Sequence, residues 1–212
     1  MAKLKNEGLC TLCQKIVPYQ SILKHIKGHD PSSTKEEPSS EKEKIFLIKV
    51  FQGPYFWLYI EINGNATLND LDTFLRDIWL ECCGHMSQFT INGDHYESHG
   101  PGLNKKIHQT LNENSSFSYC YDFGSSTYLG GKVLASRPGK LPKTLRLIAR
   151  NTLPEDVVCR TCGEAATVIC CLCSDLSCEK CRKNHECQED DMMSPVVNSP
   201  RMGVCGYTGE AW

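Results

Sequence analysis

Cysteine and histidine residues with the spacing of metal ligands lie at both ends of this sequence. The 212-residue chain has 14 cysteines, of which two lie near its start and nine lie between Cys159 and Cys205. Most occur as Cys-x-x-Cys pairs with histidines close by, which tetrahedral zinc sites require and a disulfide framework does not. The sequence therefore predicts structural zinc at both ends of the chain.

The N-terminal group reads Cys10-x2-Cys13, eleven intervening residues, and then His25-x3-His29. A Cys-x-x-Cys knuckle supplies two thiolates, and histidines on successive turns of a helix supply two imidazoles on one face. All four ligands of a tetrahedral zinc ion are therefore present in this short segment.

Two isoleucines are expected to form the core of the N-terminal segment. Ile16 and Ile22 lie six residues apart, which suits a hairpin residue packed on a helix residue. The segment resembles the two-cysteine, two-histidine zinc finger, with one residue fewer between Cys13 and Ile16 and with isoleucine where an aromatic residue is usual. A single finger covers about three base pairs, so we expect a protein contact as readily as a DNA contact.

Four further ligand pairs follow near the C-terminus, and they suffice for two tetrahedral ions. The 29 residues that hold them contain few apolar side chains, so bound zinc would supply stability that a core cannot. The pairs are Cys159 and Cys162, Cys170 and Cys173, Cys178 and Cys181, and His185 and Cys187.

This segment resembles a B-box zinc-binding domain, whose alternating ligand pairs form a cross-brace. The resemblance implies that the first and third pairs hold one ion and that the second and fourth pairs hold the other. Cys205 is an alternative to Cys187 as the eighth ligand, Cys171 is an alternative to one of its neighbours, and a redox-active thiol cluster is the alternative for the whole set. Because ligand-saturated thiolate sets are typical of structural sites, we predict about three zinc ions in total and assign no catalytic residue.

The residues between these groups predict the elements that must carry them. Residues 30–43 combine proline, serine and charge, which predicts a flexible linker. Alternating apolar residues from Lys44 to Asn63 predict two strands, an apolar face after the N-cap Thr67 predicts a helix, and four more strands follow up to Asn151. The predicted class is α+β, with a central antiparallel-rich sheet and one main helix, flanked by a small ββα zinc finger and a cross-brace B-box-like zinc domain. The predicted domains are residues 1–29, 30–43, 44–153 and 154–212.

Three stretches of the middle segment carry a further resemblance. They are IFLIKVFQGPYFWLYIEINGNATLNDLDTFLRDIW, then ECCGHMSQFTING with the pair His85 and Phe89, and then YDFGSSTYLGGKV. Together they resemble the transposon-passenger family known as TnpR-like or plasmid ORF-three-like, over about half of the chain. The resemblance implies an α+β fold and an association with mobile elements, without an established activity.

The middle segment also gathers five metal-binding side chains in a short stretch, namely Cys82, Cys83, His85, His95 and His99. A further metal site there is conceivable, but we expect the cysteines to be small buried hydrophobic residues and His85 to be a packed or capping residue. Asp122 could act as an exposed acid, but its position before Gly124 favours turn chemistry.

Charge and hydropathy limit the function classes that suit this chain. Because it contains neither a signal-peptide core nor an apolar run of membrane-spanning length, we expect a cytoplasmic protein with no membrane partner. The net charge of −2 argues against a strongly basic nucleic-acid scaffold, although residues 1–29 hold five lysines against one glutamate.

The sequence predicts a zinc-binding recognition or adaptor protein linked to mobile elements, which contacts a protein partner or nucleic acid and has no evident small-molecule substrate. The alternative is a metal-dependent nuclease or recombination accessory enzyme, in which histidines of the middle segment meet Asp94 or Asp122.

Overall fold

The computed structural model describes residues 5–29, 43–187 and 192–209. The predicted linker therefore lies outside the described residues, except for Glu43.

Two compact units divide the chain. Among the described residues, the sheet unit consists of residues 6–29, 43–74 and 86–152, and the cysteine unit consists of residues 75–85, 153–187 and 192–209 together with Lys5. The boundaries of the four domains stay a prediction.

The sheet unit contains a single nine-stranded sheet in which every neighbouring pair is antiparallel. Its strands are β1 (Glu7–Cys10), β2 (Lys15–Pro18), β3 (Lys44–Gln52), β4 (Phe56–Asn63), β5 (Ser87–Ile91), β6 (Asp94–Glu97), β7 (Ser116–Tyr121), β8 (Thr127–Pro138) and β9 (Leu145–Asn151). Their order across the sheet is β2-β1-β9-β4-β3-β8-β7-β5-β6. The helices are α1 (Tyr19–Gly28), α2 (Leu68–Leu75) and α3 (Ile107–Thr110), with a 3₁₀ turn at Pro101–Asn104. This architecture confirms the predicted α+β class.

The predicted N-cap of α2 is confirmed. The Thr67 backbone N–H donates to Asp70 Oδ2 over 2.7 Å, and the Asp70 N–H donates back to Thr67 Oγ1 over 3.1 Å. This reciprocal pair satisfies two of the N–H groups that a helix start leaves without partners. Leu68, Leu71 and Phe74 are buried on one face, as the apolar spacing predicts.

Three elements differ from the sequence-based prediction. The α-helix ends at Leu75, and the chain continues as a π-helical turn at Arg76–Leu80, where the Glu81 N–H donates to the carbonyl of Arg76. Strand β6 has mostly exposed polar residues and lacks the alternation that would reveal it, although the Asn92-Gly93 turn before it has the positive φ values of a tight hairpin. Helix α3 has four residues, too few to show a helical period.

The core of the zinc-finger segment is not the predicted one. Ile22 is fully buried, but Ile16 is 51% exposed, and the neighbouring Val17 is buried in its place. Because successive strand residues point to opposite faces, a shift of one position reverses which residue is buried. Val17 and Ile22 share a single buried cluster with Trp57 of β4. The hairpin of β1 and β2, here called the finger hairpin, therefore packs on the sheet together with α1.

The backbone also joins the finger hairpin to the sheet. Strand β1 pairs with β9, and the Trp57 indole N–H donates to Asn6 Oδ1 over 2.9 Å. A Cβ on Gly8 would lie 2.2 Å from the carbonyl oxygen of Arg150, so only glycine allows this close approach. The hairpin thus extends the sheet through hydrogen bonds as well as through side-chain packing.

The cysteine unit contains three short strands, β10 (Val168–Cys170), β11 (Leu176–Ser177) and β12 (Met193–Pro195), in the order β11-β10-β12. The π-helical turn contributes the fully buried Trp79, whose indole N–H donates to the carbonyl of Asn198. None of the helices in the described ranges is both long enough and apolar enough to cross a membrane.

Candidate metal centres

Four groups of Cys and His side chains in the described residues could each hold one metal ion. Within each group, the four sulfur or nitrogen atoms lie within 4.8 Å of one another. Tetrahedral zinc places its ligand atoms about 3.3–3.8 Å apart, given Zn–S and Zn–N distances of about 2.3 and 2.0–2.1 Å. The groups are the finger group (Cys10, Cys13, His25, His29), the first tail group (Cys159, Cys162, Cys178, Cys181), the second tail group (Cys170, Cys173, His185, Cys187) and the discontinuous group (Cys82, Cys83, His85, Cys205).

The finger group combines the hairpin with helix α1. Cys13 Sγ lies 3.3 Å from His25 Nε2, which in turn lies 3.0 Å from His29 Nε2. Burial raises the pKa of the Cys10 thiol, so a thiolate at this position requires a nearby cation. The predicted ligands are therefore brought together by the predicted elements.

A repeated backbone turn positions three of the Cys-x-x-Cys pairs. The residue after the second cysteine has a positive φ value in each case, namely Gln14, Gly163 and Ser174. Its N–H donates over 2.8 Å to the carbonyl of the first cysteine, at Cys10, Cys159 and Cys170 respectively. This turn points both sulfur atoms in one direction, as a zinc knuckle requires.

The first tail group has the electrostatics of a cation site. Backbone N–H groups of Cys178 and Cys162 donate to the Cys159 sulfur and lower the pKa of that thiol to about 6. By contrast, the side chains of Cys178 and Cys162 raise the pKa of Cys181 to about 12. Neighbouring thiols cannot all ionise unless a cation offsets their charge, so the donor set suits a divalent metal ion.

The second tail group contains Cys187 as its fourth member, and Cys205 lies in the discontinuous group instead. Cys173 Sγ lies 3.3 Å from His185 Nε2. Cys171 belongs to no group, and its sulfur lies 3.2 Å from Ser194 Oγ. The ligand pairs of the two tail groups alternate along the chain, which is the cross-brace order that the B-box resemblance implies.

The discontinuous group differs from our expectation for the middle segment. The expectation of buried cysteines is wrong, because Cys82 is half-buried and Cys83 is exposed. His95 and His99 are not members of the group, and their Nδ1 atoms lie beside Thr90 Oγ1 and Ser98 Oγ. The sequence pattern around Cys82 could not identify the whole group, because the fourth member, Cys205, is 120 residues away from His85.

Asp122 of the middle segment has a local role in a turn. Asp122 lies in the left-handed region with a φ of 65°, and its Oδ1 accepts a hydrogen bond from the Gly124 N–H over 2.9 Å. The favoured turn interpretation is therefore confirmed. Among the described residues, no group of three or more potential metal ligands contains a carboxylate.

Comparisons with known proteins supply no activity for this chain. No protein-family model matches it, and no curated protein matches it. Among solved structures, it is similar to the crystal structure of a protein of unknown function from Methanosarcina mazei Go1, with a TM-score of 0.42 and 20% identity over 57% of this chain and 75% of that one. The TnpR-like resemblance and the association with mobile elements stay predictions.

Proposed function

We propose that this protein is a recognition module whose folded form depends on zinc at the finger group and at both tail groups. The observation that carries the proposal is the closed ligand set of each group, in which four Cys or His atoms lie within 4.8 Å of one another. Four protein ligands complete a tetrahedral coordination sphere, whereas catalytic zinc keeps one position for water or substrate. The zinc ions would therefore act in folding.

The donor types also favour binding over catalysis. A metal-dependent nuclease usually holds its ion with oxygen ligands and needs a general base beside it. The four groups in the described part of the chain use only sulfur and nitrogen donors. The nuclease or recombination accessory alternative therefore has no candidate centre among the described residues.

We favour a protein partner over nucleic acid because the surface of the zinc finger is chemically mixed. Leu12 and Ile16 of the hairpin are 39% and 51% exposed, and the same zinc-finger segment carries the exposed Lys24 and Lys27 on α1. A surface that tracks a phosphate backbone is dominated by basic side chains, and the net charge of the chain is −2. Exposed apolar residues bordered by charge are instead typical of protein interfaces.

Elemental analysis of the purified, reduced chain tests the structural role of zinc. The finger group and the tail groups should together account for three ions, and Cys13→Ser and Cys162→Ser should each remove one. Cys120→Ser is the matched control, because Cys120 belongs to none of the four groups. A metal-free preparation that keeps its near-UV circular dichroism and protease resistance would contradict the proposal.

A binding assay with nucleic acid tests the choice of partner. We expect no measurable affinity for labelled duplex DNA or single-stranded RNA by fluorescence anisotropy. If the chain binds either one, and the affinity falls steeply between about 50 and 200 mM salt, phosphate contacts would replace a protein partner in this account.

A further inference from the structure

The discontinuous group has the geometry of a fourth metal site. We propose that it binds zinc and fastens the segment around Cys205 to the turn that follows the π-helix. Its members are Cys82, Cys83, His85 and Cys205.

The sulfur–sulfur distances within the group match an edge of a zinc tetrahedron, and the sulfur–nitrogen distances are shorter than the corresponding edge of about 3.6 Å. Cys83 Sγ lies 3.7 Å from the sulfur atoms of both Cys82 and Cys205, close to the edge of about 3.8 Å that two zinc-bound thiolates share. His85 Nε2 lies 2.9 Å from Cys83 Sγ and 3.3 Å from Cys205 Sγ. Both cysteine pairs are too far apart to be disulfides, whose sulfur atoms lie about 2.05 Å apart.

The turn that carries three of the ligands is held in place by an ion pair. Arg76 Nη1 contacts Glu81 Oε2 over 2.9 Å, and Arg76 Nη2 donates to the carbonyl of His85 over 2.7 Å. The other oxygen of Glu81 accepts the Gly84 N–H over 2.6 Å. Gly84 has a φ of 77°, which glycine adopts readily and which turns the chain between Cys83 and His85. These contacts hold the backbone of the turn that carries Cys82, Cys83 and His85.

The partner segment is anchored on the same unit. Arg201 is fully buried, and its Nη2 donates to Cys82 Sγ over 3.4 Å. Ser199 Oγ donates to the carbonyl of Trp79 over 2.6 Å, and the carbonyl of Asn198 accepts the Trp79 indole N–H over 3.1 Å. These contacts bring Cys205 within reach of the turn.

The ligand types and the exposure of their side chains favour a zinc site over buried, packed cysteines and over a site for a hard cation. Small hydrophobic cysteines would be buried, whereas Cys83 and Cys205 are both exposed. Three thiolates and one imidazole form a soft, closed set that suits zinc and not a hard cation such as magnesium. A zinc ion here would join positions 120 residues apart, and so would restrict the unfolded chain as a long-range cross-link does.

The first test counts zinc in the full-length, reduced chain after adventitious metal is removed. We expect four ions in the wild-type protein, three in Cys205→Ser and four in the control Cys120→Ser. A Cys205→Ser protein with the wild-type zinc content would overturn the proposal.

The second test uses only the wild-type chain, so it does not depend on a variant that folds. Iodoacetamide labelling, read by peptide mass spectrometry, should modify Cys83 and Cys205 slowly in the zinc-loaded protein, despite their exposure, and many-fold faster after chelation. Equal rates before and after chelation would overturn the fourth site.

The two proposals fail in distinguishable ways. A wild-type count of three, with Cys83 and Cys205 freely labelled, would remove the fourth site and leave the proposed function standing. A count near zero would contradict both proposals.

Discussion

Substitution of Ile22 or Ile16 by alanine tests how the finger segment is packed, because the expected loss of unfolding free energy differs between the two positions. Ile→Ala removes three carbon atoms, and at about 0.8 kcal/mol for each buried methylene the transfer cost is about 2.4 kcal/mol. At the fully buried Ile22, the remaining cavity should raise the loss of unfolding free energy to about 3–4 kcal/mol. At Ile16, which is 51% exposed on the edge strand β2, we expect a loss below about 1 kcal/mol.

Urea unfolding of the zinc-loaded, reduced chain measures both costs. Trp57 belongs to the same buried cluster as Ile22, so tryptophan fluorescence reports on the affected core. The midpoint should fall markedly for Ile22→Ala and stay close to the wild-type value for Ile16→Ala, with an unchanged denaturant slope in both. Far-UV circular dichroism of each variant before denaturation provides the control for correct folding.

Two outcomes would refute this account of the core. If Ile16→Ala is as costly as Ile22→Ala, then Ile16 fills the core as its spacing from Ile22 predicts, and Val17 does not replace it. If both substitutions cost less than about 1 kcal/mol, the finger segment does not depend on packing against the sheet.

Three further predictions follow from the structure. Gly8→Ala should destabilise the sheet unit, because the new Cβ would lie 2.2 Å from the carbonyl oxygen of Arg150. As a control, Gly28→Ala at the end of α1 places its Cβ more than 4 Å from any atom and should have little effect on the midpoint of thermal unfolding, which measures both variants. Thr67→Ala should cost about 1 kcal/mol through loss of the α2 cap, while the same change at the exposed Thr73 inside the helix should be neutral or slightly stabilising in urea. A strong chelator should make residues 153–209 sensitive to protease and leave most of the far-UV β-sheet signal, because β1 is the one strand of the nine-stranded sheet that contains a ligand of the four groups. A complete loss of that signal would show that zinc holds the sheet as well.

The sequence predicted the ligand groups where the chemistry is local. A Cys-x-x-Cys pair already contains the turn that orients its sulfur atoms, so Cys10, Cys159 and Cys170 could be assigned to knuckles from spacing alone. The discontinuous group has adjacent cysteines and a distant fourth member, and only the folded chain brings His85 and Cys205 together. A local pattern therefore could not separate its members from the nearby His95 and His99.

The same distinction between local patterns and long-range contacts explains which elements of the fold could be predicted. Strand β3 is long and largely alternates, and β4 is a long apolar strand that is buried at every position after Phe56, so both were recognisable from the sequence. By contrast, β6 has four polar residues that are held mainly by pairing with β5. The change from α-helix to π-helix after Leu75 is also invisible in the apolar spacing, because Ile78 and Trp79 are buried in the structure as an uninterrupted α-helical face would require. Tertiary contacts select such details from several local possibilities.

The two units depend on metal to different degrees, and this bears on function. The described residues of the cysteine unit include eleven buried hydrophobic side chains, of which four lie between Leu75 and Leu80 and three are the ligand-group cysteines Cys159, Cys170 and Cys178. A segment with so small an apolar core cannot offset its conformational entropy by burial alone. Under our proposal, any surface that this segment offers to a partner exists only while zinc is bound and its thiols are reduced. The nine-stranded sheet has its own core, so loss of zinc would remove that surface and leave strands β3 to β9 folded.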